Sequence, residues 1–102
     1  MILEYTGKGK VMSMQEIIID GEKIHTKEEL HKAFAEQFGF PEWYGGNLDA
    51  LYDCLTELME EVDIHILHTA SLEEKLGGYG GTLLRVLKDA EENNLNIQVI
   101  VD

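Results

Sequence analysis

Apolar residues recur along this chain at two spacings, every second position and every third to fourth. The switches between them mark out its elements. EIIID at 16–20 is a β-branched run with polar ends, followed by the turn signal GEK, and reads as a buried strand. Thr26 and Glu29 form a capping box. Leu30, Ala33, Phe34, Gln37 and Phe38 follow at helical spacing until Gly39 and Pro41 stop the helix. Asn47 is an N-cap, and Leu48, Leu51, Leu55 and Leu58 then draw the apolar stripe of a second helix ending near Glu60. VDIHIL at 62–67 returns to period two. SLEEK is an acidic turn or short helix, and GGYGG at 77–81 reads as a flexible joint. A further helix carries Leu83, Leu84, Leu87 and Ala90 and fades at Asn93 and Asn94. The last strand is LNIQVIV at 95–101, alternating through Leu95, Ile97, Val99 and Val101.

Strands separated by helices need crossover connections, so the order implies parallel pairing. The expected fold is a small α/β domain over 15–102, with a three-stranded parallel sheet and about four helices. Residues 1–14 stand apart as an extension: ILEY fits an extra edge strand, and TGKGK a turn or a loose arm.

The 102 residues suffice for one core, and an apolar content of 44% places the chain among globular proteins. Its one cysteine, Cys54, cannot close an internal disulfide, and no run of about 18 apolar residues offers a membrane span. The expectation is a cytoplasmic protein with no membrane role. With 20 acidic against 8 basic residues, the net charge of −12 argues against direct binding of nucleic acid, which depends on Lys and Arg. The distribution is sharper than the total. Between Lys32 and Lys75 there is no Lys or Arg, whereas ten carboxylates fall inside that interval.

That block contains PEWYGGNLDALYDCL at 41–55. Asp49, Asp53 and Glu57 lie four residues apart, so they line one face of the second helix with no Lys among them. Such like-charge spacing costs a few tenths of a kcal/mol per pair. A merely solvated face is the ordinary reading of an acidic helix. Here Pro41, Gly45 and Gly46 shape a lead-in that presents Trp43 and Tyr44 directly before the helix, and ordered amphipathic aromatics are typical interface anchors.

PEWYGGNLDALYDCLTE resembles the signature of the barstar family, intracellular inhibitors of secreted bacterial ribonucleases of the barnase type. The likeness extends from about Glu16 to the end of the chain. It implies three parallel strands wrapped by helices, with the loop and helix plugging a nuclease active site one-to-one. By that resemblance Asp53 is the carboxylate that occupies the substrate phosphate position, and Trp43 stands where a tyrosine packs on the nuclease's catalytic histidine. Tyr44, Gly45 and Asn47 would line the same pocket, Asp49 would meet an arginine, and Asp89 on the last helix would be a peripheral contact. The chain departs from the pattern at Gly46, where the family has an acidic residue, and at Trp43, Tyr52 and Glu57. The alternative reading keeps the binding module and changes the target to another nuclease toxin or cationic protein.

Other chemistry is weaker. Asp49 and Asp53 could serve as general acid and base, but one exposed helix face offers no cleft to separate their pKa values. Cys54 falls on the side of Ala50, Leu51 and Leu58 and reads as a small buried hydrophobe. His65 and His68 point to opposite faces of a regular strand, and His25 and His31 are placed no better for a shared metal. GGYGG lacks the lysine of a phosphate loop. No enzyme activity, cofactor or metal is expected.

Overall fold

The computed structural model describes residues 15–102, so the expectations for residues 1–14 lie outside it. Three strands, β1 (Gln15–Asp20), β2 (Val62–Leu67) and β3 (Ile97–Val101), form one parallel sheet in the order β1-β2-β3. Four helices connect them: α1 (Lys27–Phe38), α2 (Leu48–Thr56), α3 (Thr69–Leu76) and α4 (Gly78–Asn93). The α/β architecture is the one expected, and SLEEK belongs to a true helix.

The sheet has one dry face. Ile17, Ile19, Val62, Ile64, Ile66 and Ile97 are buried beneath Leu30, Phe34, Leu51, Leu55, Leu83, Leu87 and Ala90 from the helices. The opposite face sets Ile18, His65 and Ile100 side by side in register, with Ile18 46% and Ile100 37% exposed. The unbroken isoleucine run therefore does not signal a strand buried on both sides, because the pleat sends Ile18 outward between Ile17 and Ile19.

α1 begins as expected: Thr26 Oγ1 accepts from the Glu29 amide at 3.1 Å and Glu29 Oε1 accepts from the His25 amide at 2.7 Å. Gly39 closes it in the left-handed region at φ 74°. Gln37, expected on the apolar stripe, has a polar task. Its amide accepts from Ile18 N at 2.8 Å and donates to Ile18 O at 2.7 Å, imitating a neighbouring strand along the edge of β1 away from β2. Gln37→Ala is expected to lower the unfolding free energy by about 1 kcal/mol, a loss of roughly 4–8 °C in thermal denaturation followed by circular dichroism. Unchanged stability and unchanged amide exchange at Ile18 would reject this role.

Three boundaries differ from the sequence reading. α2 stops at Thr56 rather than near Glu60, because Asn94 donates to the carbonyls of Leu55 and Leu58 at 2.9 and 3.1 Å and Asn96 donates to Leu58 at 3.1 Å. Asn94 also accepts from the Asn96 amide at 3.0 Å, which bends 94–96 into a turn. β3 consequently starts at Ile97, and Leu95 projects into solvent at 98% exposure. The glycine cluster is helix rather than joint: only Gly77, at φ 63°, breaks the chain, and α4 already includes Gly78–Gly81. A side chain at Gly80 would meet the Glu73 Cα at 3.1 Å, so close packing of α4 on α3 offsets the poor helix propensity of glycine.

Candidate functional site

A row of neighbouring rings, the three phenylalanines stacked and Tyr44 tilted by 45° to the last, leads from the core to the lead-in of α2. Phe34 is fully buried and lies 6.4 Å from Phe38 between centroids, Phe38 lies 5.0 Å from Phe40, and Phe40 lies 4.8 Å from Tyr44. The Tyr44 amide donates to Pro41 O at 3.0 Å, closing a turn over Glu42 and Trp43. Gly46 takes a left-handed φ of 68°, after which Asn47 Oδ1 accepts from the Ala50 amide at 2.8 Å and starts α2. The loop thus has one well-defined course, set by a turn, a glycine and a cap.

Between this loop and α2 lies an open groove of about 350 Å³, lined by Trp43, Tyr44, Gly45, Ala50, Asp53, Cys54 and Glu57. Trp43 stands out from the surface at 80% exposure, so its indole face is unused within the chain. Tyr44 is half-buried: its ring edges the groove while its hydroxyl turns inward. Asp49 and Asp53 on α2 and Glu57 at its C-cap are all exposed. The ion pairs among the described residues join His25 to Glu29, His65 to Glu16, His68 to Asp20 and Glu22, and Lys88 to Glu91, and none involves those three carboxylates. Among the described residues no cation is paired with them, and their negative potential faces solvent.

Cys54 departs from expectation. It is only part-buried and lines the groove between the loop and α2. Burial pushes its thiol above the ordinary range, and the neighbouring Glu57 and Asp53 carboxylates push it further in the same direction. It is a protonated, poorly nucleophilic thiol.

The structure brings Trp43, Tyr44, Gly45 and Asp53 together around the groove, whereas Asn47 and Asp49 do not line it. Asp89 sits on α4, exposed. Asn93 Nδ2 donates both to the Asp89 backbone carbonyl and to the Tyr52 hydroxyl, at 3.0 Å each, so the end of α4 is fastened beside α2; Asp89 is not among the groove residues. Glu57, Ala50 and Cys54 are groove residues that the spacing argument left out, although Glu57 lay on the carboxylate line. His31 was weighed only as a metal ligand. It is 4% exposed on α1 and bonds the Tyr44 hydroxyl, and the signal for it in the chain was its place one position after Leu30 and three before Phe34, on the buried side of the helix. The remaining histidines separate as the strand geometry implied. His65 gathers with Glu16 and Asp63, and His68 with Asp20 and Glu22, each set offering three ligand atoms within 4.8 Å. The His68–Asp20 bond, 2.9 Å, raises the His68 pKa and lowers that of Asp20.

Two comparisons bear on this arrangement. The family model Barstar (barnase inhibitor) matches residues 14–102. Over 80 residues the chain is 38% identical to a Bacillus subtilis (strain 168) protein named "Putative ribonuclease inhibitor YrdF", an alignment spanning 78% of this chain and 88% of that protein. Among the described residues, no helix is long and apolar enough to cross a membrane.

Proposed function

This chain belongs to the barstar family, and from that premise we propose that it inhibits a barnase-type ribonuclease by filling the enzyme's active site with α2 and the loop before it. The observation that carries the reading is the unpaired carboxylate row beside an aromatic groove. An enzyme that cleaves RNA must present cationic groups to hold phosphate, so its active site and this ridge are opposite in charge. In this reading Asp53 takes the phosphate position, Trp43 and Tyr44 receive a flat side chain of the enzyme, Gly45 and Asn47 line the contact, and Asp49 and Asp89 meet peripheral cations. The inhibitor acts in the cytoplasm, one-to-one, without chemistry of its own. A second reading, another nuclease or cationic protein as target, is favoured by Glu57, which adds a carboxylate to the groove wall and calls for an additional cation opposite.

The test is a titration of barnase-type ribonucleases with the purified protein, RNA cleavage being measured at low and high salt. Stoichiometric inhibition is expected. Raising the ionic strength from about 0.05 to 0.5 M should slow association on the order of tenfold or more, as the Debye length shrinks toward contact distance. Barnase and barstar are themselves a standing example of such steering, so the direction is a family expectation. Inhibition with no salt dependence would dismiss the electrostatic account. Absence of inhibition across the enzyme class would shift the assignment to the second reading.

A further inference from the structure

His31 joins three elements that are distant in the chain. Its Nδ1 lies 2.7 Å from the Tyr44 hydroxyl on the groove loop and its Nε2 lies 2.6 Å from the Tyr79 hydroxyl in the first turn of α4. The imidazole is tilted 51° to the Tyr44 ring and stands edge-on, at 78°, to that of Tyr79. A neutral imidazole has one donor and one acceptor nitrogen, so one tyrosine accepts from His31 and the other donates to it. The tautomer couples the two hydroxyls: what one tyrosine offers decides what the other must be. Tyr79 is itself held from above by Lys27, whose ammonium lies 4.8 Å from the ring centroid.

We propose that His31 and Tyr79 are positioning residues of the groove, a Tyr79–His31–Tyr44 chain of hydrogen bonds that fixes the Trp43–Tyr44 wall from its inner side. Neither residue lines the groove. Phe40 touches the Tyr44 ring at a 45° tilt, a contact that holds the ring but not its hydroxyl, and the His31 bond fixes that end. The consequence for a partner follows from preorganisation, since a wall ordered in advance loses less entropy on binding. That consequence rests on the inhibitor reading above, whereas the effect on the loop of the free protein does not.

The groups facing His31 are the Tyr44 hydroxyl from the loop, the Tyr79 hydroxyl from α4, and Glu28 and Lys27 from α1; Cys54 on α2 acts on it only through Tyr44. Burial lowers the His31 pKa, and Glu28 opposes this weakly. The sign of the linkage follows. A histidine kept neutral by the fold contributes its full stability above the unfolded value of about 6.5, and the contribution falls away as the pH drops below that value toward the lower folded pKa. The unfolding free energy should therefore decline with acid below about pH 6.5, and His31→Gln should remove that part of the slope. His68, whose pKa moves upward, contributes in the opposite direction and is unaffected by the substitution.

The decisive experiment uses Trp43, the single tryptophan of the chain, as reporter of the wall. Time-resolved fluorescence anisotropy is recorded on the free protein and on Tyr79→Phe, His31→Asn and His31→Gln. The amide nitrogen of asparagine stands near the Nδ1 position and that of glutamine near Nε2, so His31→Asn keeps the partner of Tyr44 and His31→Gln keeps the partner of Tyr79. Trp43 should gain local motion in the order wild type, Tyr79→Phe and His31→Asn, then His31→Gln. Dissociation constants for an inhibited ribonuclease should rise in the same order, by roughly threefold to tenfold where the bond to Tyr44 itself is lost and by less where only the bond to Tyr79 is lost. A filler role in the core would instead lower the melting temperature of both His31 variants alike and leave Trp43 unmoved. If the folded Tyr79→Phe and His31→Gln proteins keep wild-type anisotropy, the positioning role is refuted. If the wild-type protein inhibits no ribonuclease, the inhibitor reading fails and the anisotropy series still decides this one.

Discussion

Asp53→Ala is expected to raise the dissociation constant for the target ribonuclease by roughly a thousandfold, about 4 kcal/mol, while leaving the fold intact. The magnitude follows from what the partner loses. In the proposed complex, closing the interface would strip water from the enzyme's phosphate-binding cations, and with the Asp53 carboxylate gone they would remain buried without a counter-charge, which is far more costly than the loss of an exposed ion pair. The upper end of the range for such hot spots comes from the barnase and barstar pair, so the family sets the scale. Stability should move the other way. Asp53 is exposed and unpaired, with Asp49 and Glu57 one turn to either side, so its removal relieves two like-charge contacts of a few tenths of a kcal/mol each. A folded Asp53→Ala protein that inhibits at wild-type concentrations alongside an equally active Asp49→Ala would show that α2 is not the inhibitory surface, and an unfolded one would overturn the stability argument.

Gly21→Ala should be the most damaging single-methyl change, lowering stability by about 3 kcal/mol and the melting temperature by more than roughly 10 °C. Gly21 follows β1 directly and its amide donates to Leu67 O at 2.7 Å, drawing the turn against the end of β2. A Cβ there would lie 2.2 Å from His68 O, 2.9 Å from Leu67 O and 2.9 Å from the Leu72 Cβ. Two of these are backbone carbonyls that cannot rotate away, so either the β1–β2 register or the start of α3 must shift. The contrast is Gly78→Ala, where a Cβ meets nothing within 4 Å in the first turn of α4 and higher helix propensity should leave stability equal or improved by up to about 1 kcal/mol. Denaturant titration of both proteins settles the comparison; equal stabilities would overturn it.

The two predictions differ in how far the chain alone announces them. Asp53 is visible because a helix repeats every 3.6 residues, so carboxylates at 49, 53 and 57 must share a face, and a lysine-free interval needs no coordinates to be noticed. The aromatic lead-in was legible for the same reason of proximity, Trp43 and Tyr44 lying within a few residues of the Asn47 cap. Gly21 is one of 10 glycines and looks like any turn residue. Only the approach of residues 67, 68 and 72, about fifty positions onward, makes it irreplaceable. Cys54 shows the same limit on a smaller scale: spacing put it on the leucine side of α2, and the fold makes it a lining residue of the groove between the loop and α2.

What the sequence determined by itself was whatever depends on neighbours within about two turns: the capped α1 ending at Gly39, the start of α2 at Asn47, the alternation of β2, the acidic ridge and the α/β class. What tertiary structure decided was every question of what comes close to what. It drew the glycines at 78–81 into α4, ended α2 at Thr56 beneath two asparagines, turned Leu95 and Ile18 to solvent, and tied His31 to Tyr44 and Tyr79. The physical reason is that periodicity and capping act through the local backbone, whereas a hydrogen bond between positions 31 and 79 exists only after the chain has been brought back on itself, and no spacing in the sequence encodes that distance.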